Sequence, residues 1–365
     1  MRRLAIVTAG GDCPGINAVI RAVAKTAIND YGMEVVGILD GFLGLIESRW
    51  RKLSYHDVSG IIMLGGTILG TSNRANPFKY AVGKKGDEPE FADVSDRVIA
   101  NFEKIGASTL IAIGGDGTLH IAQRLYEKGL PVIGIPKTID NDVDCTDRTF
   151  GFDSAVATAT EAIDKIHTTA QSHHRVMMVE VMGRYVGWLA LFAGVAGGGD
   201  VILIPEIPFD IEIVAKRVVE RSRRGKRFSI VVVAEGAKSV GGDLVVRKIV
   251  KDSTDPVRLG GIADRIAHEI EKRTGLETRV TVLGHLQRGG PPTAFDRVLA
   301  TRFGSLAAEL AAQGKSGIMV ALKGEDIVTV SIADAIARLK SVPPDHDLIK
   351  SALSVGTSFG VSELP

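Results

Sequence analysis

The sequence has few cysteines, little net charge and no long apolar run. Its two cysteines, Cys13 and Cys145, cannot form a disulfide framework of the kind that holds small secreted proteins together. A net charge of +1 gives no global electrostatic attraction to nucleic acid or to a membrane surface, so any attraction for anions must be local. No apolar run approaches the roughly 18 residues that a membrane-spanning helix needs. We expect neither a nucleic-acid partner nor a membrane partner.

The first residues lead directly into a short apolar segment. A signal peptide has a longer apolar stretch and a cleavage site, so we predict that this segment is not one. Together with the low cysteine content, this favours a cytoplasmic enzyme. At 365 residues, of which 45% are hydrophobic, the chain can bury a large core. Its length suggests about two domains.

Apolar segments of strand length alternate with helical patterns along the chain. Strands are predicted near residues 4–8, 34–39, 109–113, 131–135, 176–181, 201–204, 229–234 and 278–283. Continuous apolar runs of this length are typical of buried parallel strands. We therefore predict an α/β fold of two similar lobes with mostly parallel sheets. The polar segments 79–96 and 237–257 are predicted to be loops or irregular. A helix over 331–340 is predicted to close the fold, and the segment after about Val355 is predicted to be weakly structured.

Two charged turns in residues 107–142 each follow a predicted strand. The first is Gly114-Gly115-Asp116-Gly117-Thr118, and the second is Pro136-Lys137-Thr138-Ile139-Asp140-Asn141-Asp142. Ligands of open α/β sheets bind in the crevice past the carboxyl ends of the strands, so both turns would face one crevice. Glycine amides, a lysine and three carboxylates together suit a phosphorylated ligand with a metal ion. Phosphoryl transfer is the first hypothesis.

The three aspartates of these turns have distinct candidate roles. Asp116 is placed to hold Mg²⁺, which takes one or two carboxylates and keeps several waters. Asp140 and Asp142 lie two residues apart, which suits one as a base and the other nearer the metal ion. The alternative for any single aspartate here is a helix N-cap or an Asx-turn. Three carboxylates after two strands of one unit favour the chemical roles.

A second set of candidate residues is cationic, and each member lies at a strand end or in a glycine turn. The set consists of Arg175, Arg184, Arg279, His285 and Arg288. Because guanidinium groups bind phosphate oxygens bidentately, the set predicts a pocket for a phosphorylated acceptor. Glu235, at another strand end, is a candidate acceptor of hydrogen bonds from sugar hydroxyls. The alternative for His285 is a buried, hydrogen-bonded histidine.

These motifs resemble those of the 6-phosphofructokinases, and the resemblance extends over nearly the whole chain. It rests on Gly10-Gly11-Asp12 with Pro14-Gly15-Ile16-Asn17, the two turns above, Met182-Gly183-Arg184 and Leu283-Gly284-His285-Leu286-Gln287-Arg288-Gly289-Gly290. NAD kinases and diacylglycerol-type lipid kinases carry a motif similar to Gly-Gly-Asp-Gly-Thr but lack the Thr-Ile-Asp-Asn-Asp turn and the Gly-His-Leu-Gln-Arg-Gly-Gly segment. An NAD or lipid kinase and a non-catalytic nucleotide sensor are therefore remote alternatives.

The resemblance implies two Rossmann-like lobes with the active site in the cleft between them. Residues 1–151 plus about 287–337 would bind ATP and Mg²⁺, and residues 152–286 plus about 338–365 would bind fructose 6-phosphate. The implied donor site comprises Gly11, Arg74, Gly114, Gly115, Asp116 (the metal ligand), Gly117, Thr118 and Lys137. The implied catalytic residues are Asp140 as base for the 1-hydroxyl, Thr138, Asp142 and Arg184. The implied sugar-phosphate residues are Thr138, Asp140, Arg175, Met182, Gly183, Arg184, Glu235, Arg279, His285 and Arg288.

The family pattern also implies an assembly and a reaction. Arg175 and Arg279 match arginines that reach the sugar phosphate of a neighbouring subunit, which implies a homo-oligomer, either a dimer or a tetramer. The implied reaction is the ATP-dependent step of glycolysis that converts fructose 6-phosphate to fructose 1,6-bisphosphate.

Two positions bear on the phosphate donor, and they disagree. Gly117 matches ATP-using members, whereas pyrophosphate users generally have an aspartate there that crowds and repels the α-phosphate. Lys137 is usual in pyrophosphate users, and the pair resembles the intermediate branch of the family. An aspartate at position 117 would exclude ATP sterically, whereas a lysine at position 137 can lie beside ATP without blocking it. We therefore favour ATP, with pyrophosphate as the alternative donor.

Overall fold

The computed structural model describes residues 2–85, 88–249 and 257–364. The described residues form two compact units. Residues 2–154 and 288–339 belong to the first unit, and residues 155–249, 257–287 and 340–364 belong to the second. The division of roles predicted for the lobes, donor in one and sugar phosphate in the other, stays a prediction.

Strands and helices alternate along the described chain, as the sequence predicts. The strands are β1 (Arg3–Thr8), β2 (Glu34–Ile38), β3 (Trp50–Leu53), β4 (Tyr80–Lys85), β5 (Glu88–Ala92), β6 (Thr109–Gly114), β7 (Val132–Thr138), β8 (Phe150–Gly151), β9 (Val176–Val181), β10 (Val201–Leu203), β11 (Ser229–Ala234), β12 (Val246–Ile249), β13 (Val257–Leu259), β14 (Thr278–Val282), β15 (Ile318–Lys323) and β16 (Asp326–Ser331).

The helices connect these strands. They are α1 (Ile16–Asn29), α2 (Phe42–Glu47), α3 (Ser95–Ile105), α4 (Asp116–Glu127), α5 (Phe152–His173), α6 (Trp188–Ala196), α7 (Ile211–Arg223), α8 (Ile262–Thr274), α9 (Ala294–Ala312), α10 (Ile332–Ala335) and α11 (Asp347–Ser354), with a 3₁₀-helix over Gly284–Arg288. Among the described residues, no helix combines the length and the apolar character that crossing a bilayer requires.

The first unit is built on a mostly parallel sheet. Its strand order is β16-β15-β7-β6-β1-β2-β3, and β8 pairs with the end of β7. β1, β6 and β7 run parallel, whereas β3 and β16 are antiparallel to their neighbours at the two edges. Every residue of β6 is buried, because a continuous apolar strand is covered on both faces of the sheet. The predicted α/β class and mostly parallel sheet are confirmed.

The second unit contains a smaller sheet in which the strands are all parallel, in the order β10-β11-β9-β14. Its core consists of apolar residues such as Met178, Val231 and Ile266. Glu180 on β9 is the exception to this apolar composition, because its carboxylate side chain is buried as well. Its Oε2 accepts hydrogen bonds from Gly261 N at 3.2 Å and Ala263 N at 3.0 Å. The carboxylate therefore satisfies free amides at the start of α8.

Parallel strands bring functional turns to one edge in each unit. In the first unit, β1, β6 and β7 end just before Ala9, Gly115 and Ile139, so the glycine turn and both charged turns leave the same edge of the sheet. In the second unit, β9 and β14 run parallel and end just before Met182 and Leu283. β11 ends there too, before Glu235. Each set is thus positioned by strand order.

Three local expectations from the sequence are wrong, and so is a fourth for the segment after Val355. Residues 79–96 are not a loop, because β4 and β5 form an antiparallel hairpin and α3 begins at Ser95; residues 86–87 lie outside the described residues. Within 237–257, β12 and β13 pair, and residues 250–256 lie outside the described residues. The helix expected over 331–340 is only α10, preceded by the β15–β16 hairpin. β5 and β16 are exposed or half-buried along their length, so they lack the continuous apolar signal that marks a buried strand.

The segment after Val355, expected to be weakly structured, pairs with the edge of β10. Ser358 forms a parallel bridge with Val201, Ile202 N donates to Ser358 O at 2.9 Å, and Ser358 N donates to Asp200 O at 3.0 Å. Phe359 is buried. A segment rich in serine and glycine has no local preference for a strand, so its order depends on this tertiary pairing.

Asp296, in the first turn of α9, is a buried carboxyl group of the first unit. Its Oδ2 accepts hydrogen bonds from Ser154 N at 2.8 Å and Ser154 Oγ at 2.6 Å. Burial is the main cause that raises the pKa of Asp296 to about 6. The folded state therefore holds this proton more tightly than the unfolded chain. The stability that this group contributes is present below about pH 4 and is lost as the pH rises through about 6.

We expect Asp296→Asn to remove this pH dependence. The asparagine Oδ1 can still accept from Ser154, but no buried charge forms at neutral pH. The free energy of unfolding of the variant minus that of the unsubstituted chain should increase by up to about 3 kcal/mol between pH 4 and pH 7. Urea unfolding of both proteins at four pH values measures the difference. A constant difference across this range would contradict the prediction.

Candidate active site

The turn after β1 lies against the start of α4 and the end of β7. A Cβ atom placed at Gly10, whose φ is +78°, would lie 3.3 Å from Thr118 Oγ1 and 3.9 Å from Lys137 Nζ. An L side chain rarely adopts this φ, so glycine suits the position. Residues from all three predicted donor motifs therefore meet at one edge of the first unit's sheet.

Arg288 lies against the same glycine turn. Its Nη1 donates to Asp12 O at 3.1 Å. A Cβ atom at Gly11 would lie 2.1 Å from Arg288 Nη1, so any side chain at position 11 would displace the guanidinium group. Glycine at position 11 thus leaves the space that this guanidinium group occupies. The role of Arg288 in binding the sugar phosphate stays a prediction.

The motif from Gly114 to Thr118 forms the start of α4. Thr118 N and Leu119 N each donate to Gly115 O at 3.0 Å, which closes the first helical turn. A Cβ atom at Gly114 would lie 2.3 Å from Thr118 Cβ, so glycine is required there by packing. At Gly117, by contrast, a Cβ atom would meet no described atom within 4 Å. The fold therefore does not require glycine at position 117, which leaves open space at a helix N-terminus where anions bind well.

Asp116 is a partly desolvated carboxylate at the first position of α4. Its side chain is 31% exposed, and its Oδ1 lies 3.3 Å from Nδ1 of His120, one turn later. Burial raises the pKa of Asp116, and His120 opposes this rise. Within the described residues, no group of three or more His, Cys, Asp or Glu side chains is arranged to hold a metal ion. One carboxylate at this position fits Mg²⁺, which binds few protein ligands and keeps waters and substrate phosphates.

Lys137 is buried beneath the glycine turn. Its Nζ donates a hydrogen bond to the carbonyl oxygen of Gly11. Burial lowers the pKa of Lys137. The neighbouring Cys13 is also buried, and burial raises the pKa of its thiol to about 12, so it stays protonated and unreactive at neutral pH. The ammonium group therefore supports the Gly10–Gly11 backbone.

The turn from Thr138 to Asp142 is shaped by Asn141 and Thr149. Asn141 is buried with a φ of +54°, a conformation that asparagine adopts more readily than most residues. Its Oδ1 accepts from Thr149 N at 3.0 Å, and Thr149 Oγ1 donates to Thr138 O at 2.8 Å. Asp140 N donates to Thr138 Oγ1 at 3.0 Å. Asp140 and Asp142 are half-buried in this turn. The asparagine within the motif was the only sequence signal for its shape.

The loop that carries Arg74 is connected to the glycine turn. Thr71 Oγ1 donates to Gly10 O at 2.7 Å. Asn17, buried at the start of α1, accepts at Oδ1 from Ile68 N at 2.8 Å. Arg74 itself is exposed at the end of this loop. The sequence placed Asn17 in a motif without a role, and the structure identifies it as the anchor of this loop.

In the second unit, the Met182-Gly183-Arg184 motif packs against the end of β11. Gly236 N donates to Gly183 O at 3.0 Å, and Glu235 N donates to Val181 O at 2.9 Å. A Cβ atom at Gly236 would lie 1.9 Å from the carbonyl oxygen of Arg184, so this close contact requires glycine. Glu235 and Arg184 are both half-buried. The structure thus brings these predicted residues to one edge of the second sheet.

His285 lies in the 3₁₀-helix after β14 and is exposed. The alternative interpretation of this residue as a buried histidine is therefore wrong. Exposure at a strand end leaves its imidazole accessible to a ligand.

Arg175 and Arg279 are held by a shared carboxylate, that of Glu277. Arg175 Nε lies 2.9 Å from Glu277 Oε2, and Arg279 Nη2 forms an ion pair with Glu277 Oε1. The hydrogen bond from Arg175 is the main cause that lowers the pKa of Glu277. Glu277 was not predicted as part of the site, because a single glutamate next to a strand has no distinguishing pattern. Its position two residues before Arg279 was the only available signal.

Comparison with known proteins identifies the family. The phosphofructokinase family model matches residues 3–311. The ATP-dependent 6-phosphofructokinase 2 of Clostridium perfringens is 51% identical, and the ATP-dependent 6-phosphofructokinase of Spirochaeta thermophila is 52% identical, each over 98% of this chain and 98% of the relative. The phosphofructokinase structure from Saccharomyces cerevisiae has a TM-score of 0.77 at 30% identity and covers 97% of this chain but 46% of that longer chain. The chain therefore belongs to the phosphofructokinase family.

Proposed function

We propose that this protein is an ATP-dependent 6-phosphofructokinase of glycolysis. It would transfer the terminal phosphoryl group of ATP to the 1-hydroxyl of fructose 6-phosphate and form fructose 1,6-bisphosphate. The observation that carries the proposal is identity of 51–52% over 98% of the chain to relatives with that name. A cytoplasmic location stays a prediction from the sequence.

The first unit is proposed to bind ATP and Mg²⁺. The start of α4 offers backbone amides to phosphate oxygens, Gly117 leaves space beside them, and Gly11 and Arg74 lie on connected turns. Asp116 would hold the Mg²⁺ ion, which would supply neutralisation of the charge on the phosphate oxygens. Lys137 supports this site from below through Gly11 rather than as a free cation in the open crevice.

Asp140 is proposed as the general base that takes the proton of the 1-hydroxyl. Its backbone N–H donates to Thr138 Oγ1, which fixes the turn that carries this half-buried carboxylate. Phosphoryl transfer needs little covalent participation by the protein, so alignment and charge neutralisation dominate the rate. We assign charge neutralisation on the moving group to Arg184, and Asp142 is proposed to help orient the donor side.

The second unit is proposed to bind fructose 6-phosphate through Met182, Gly183, Arg184, Glu235 and His285. Arg175 and Arg279 are proposed to serve the sugar phosphate of a neighbouring subunit in a homo-oligomer, either a dimer or a tetramer. The ion pairs with Glu277 support this, because they hold both guanidinium groups side by side at one location. Two adjacent arginines bind a phosphate dianion better than either one alone.

The test is aldolase-coupled formation of fructose 1,6-bisphosphate from fructose 6-phosphate and Mg²⁺, with ATP and pyrophosphate supplied separately. We expect turnover with ATP and none with pyrophosphate. Turnover with pyrophosphate alone would establish the alternative donor and contradict the assignment based on Gly117. Nucleotide binding without turnover with either donor would support the sensor alternative instead.

A further inference from the structure

The turn from Met182 to Gly187 connects β9 to α6 and carries Arg184. Its middle is held by the hydrogen bond from Gly236 N to Gly183 O. Each end of the turn is held by a side chain from elsewhere in the second unit. Met182 N donates to Gln287 Oε1 at 3.3 Å, and Gly187 N donates to Glu206 Oε1 at 3.0 Å. The two polar side chains thus fix both ends of the segment that presents Arg184.

Glu206 lies three residues after the end of β10 and holds the Gly187 end of the turn. Its Oε1 accepts a second hydrogen bond from Val342 N at 2.9 Å, so one oxygen atom joins the Arg184 turn to residues 340–342. The other oxygen, Oε2, is buried and has no hydrogen-bond partner among the described residues. A Cβ atom at Gly187 would lie 2.9 Å from this oxygen. The carboxyl group is therefore packed closely under the turn.

Gln287 holds the other end and also orders the segment that contains His285. Its side chain is fully buried. While Oε1 accepts from Met182 N, Nε2 donates to Gly284 O at 3.0 Å. Because Gly284 begins the 3₁₀-helix, one amide group connects that helix to the Arg184 turn. A glutamine is suited to this position, since its amide group both accepts and donates.

We infer that Glu206 and Gln287 are positioning residues for the sugar phosphate: they fix the Arg184 turn, and Gln287 also fixes the His285 segment. Neither residue belongs to the predicted binding set, and both act through backbone atoms. A positioned guanidinium group binds phosphate without first losing conformational freedom, so a loosened turn weakens binding of the sugar phosphate. The inference rests on the proposed function.

The test compares steady-state kinetics of Glu206→Met, Glu206→Gln and Gln287→Met with the unsubstituted chain. The two methionine variants remove the acceptor, and we expect the KM for fructose 6-phosphate to rise about tenfold, equivalent to about 1.4 kcal/mol. The KM for ATP should stay unchanged. Glu206→Gln retains an oxygen atom that can accept from both Gly187 and Val342, so it should restore the low KM.

Glu180→Met is the matched control. Glu180 is also a buried carboxylate of the second unit that accepts two backbone N–H groups, but these belong to Gly261 and Ala263 of the α8 start. We expect its substitution to lower the melting temperature without raising the KM for fructose 6-phosphate. Assays are made well below the lowest melting temperature of the set, which separates positioning from global stability.

The outcomes distinguish this inference from the proposed function. If the unsubstituted chain does not phosphorylate fructose 6-phosphate, the proposed function fails and the inference fails with it. If the unsubstituted chain is active but the methionine variants keep its KM, or raise it no more than Glu180→Met does, only the inference is overturned. A rise for Glu206→Gln as large as that for Glu206→Met would also overturn the part assigned to Glu206.

Discussion

Replacing Asp140 with asparagine is expected to lower kcat about 10³-fold, because an amide cannot take the proton of the acceptor hydroxyl. The turn should keep its shape, because the hydrogen bond from the backbone N–H of Asp140 to Thr138 Oγ1 is retained in the variant and asparagine has nearly the same size and shape as aspartate. The KM for each substrate should change much less than kcat. The aldolase-coupled assay gives kcat and KM, and thermal unfolding verifies the fold.

Asp147→Asn is the control for this substitution. Asp147 lies in the same loop between β7 and β8, and its Oδ2 accepts from Gly324 N at 2.7 Å, a hydrogen bond that asparagine can retain. We expect kcat of this variant to equal that of the unsubstituted chain. If Asp140→Asn also kept its kcat, the assignment of Asp140 as general base would be wrong.

Gly117→Asp is expected to lower kcat/KM for ATP about 10²–10³-fold, because a carboxylate beside the α-phosphate both crowds and repels it. Stability should not fall. A Cβ atom at this position meets no described atom within 4 Å, and an aspartate in the first turn of a helix is favourable by about 0.3–1 kcal/mol. Activity with ATP would therefore fall while stability does not. A substitution that lowers activity by destabilising the fold would instead lower both. Donor-dependent kinetics and thermal unfolding measure the two effects.

Two further variants separate the causes. Gly117→Ala adds volume without charge, and we expect a smaller loss with ATP than for Gly117→Asp. Lys137→Met removes the buried ammonium that donates to Gly11 O, and ATP should remain the preferred donor. If Gly117→Asp kept its ATP activity while Lys137→Met changed the preferred donor, Lys137 rather than Gly117 would determine donor choice.

The parts of the site that the sequence predicted are those that depend on strand order. Gly11, Asp116 and Asp140 follow three neighbouring parallel strands, and strand ends are marked by apolar runs that stop at glycine or aspartate. Such runs are visible in a sequence because both faces of a parallel strand are buried. Family motifs then added the expected role of each residue.

The direction of individual side chains was not predictable in this way. Lys137 follows apolar β7 residues, and no local pattern indicates that its Nζ turns toward Gly11 rather than toward the open crevice. Gln287 and Glu277 each contact one partner more than 100 residues away in the chain, namely Met182 and Arg175. Contacts of this kind depend on tertiary packing, which local propensity and periodicity do not report.

The pairing of residues 357–360 with β10 has a consequence for how the second unit resists aggregation. β10 is the outermost strand of its sheet, and an uncovered outer strand offers free N–H and C=O groups to other chains. Ser358 occupies those groups at Asp200 and Ile202, and Gly360 O accepts from Asp210 N at 2.7 Å. A short, polar segment that contributes nothing to the proposed chemistry thus protects the sheet from intermolecular strand addition. Deleting residues 357–360 would endanger the solubility of the protein before its catalysis.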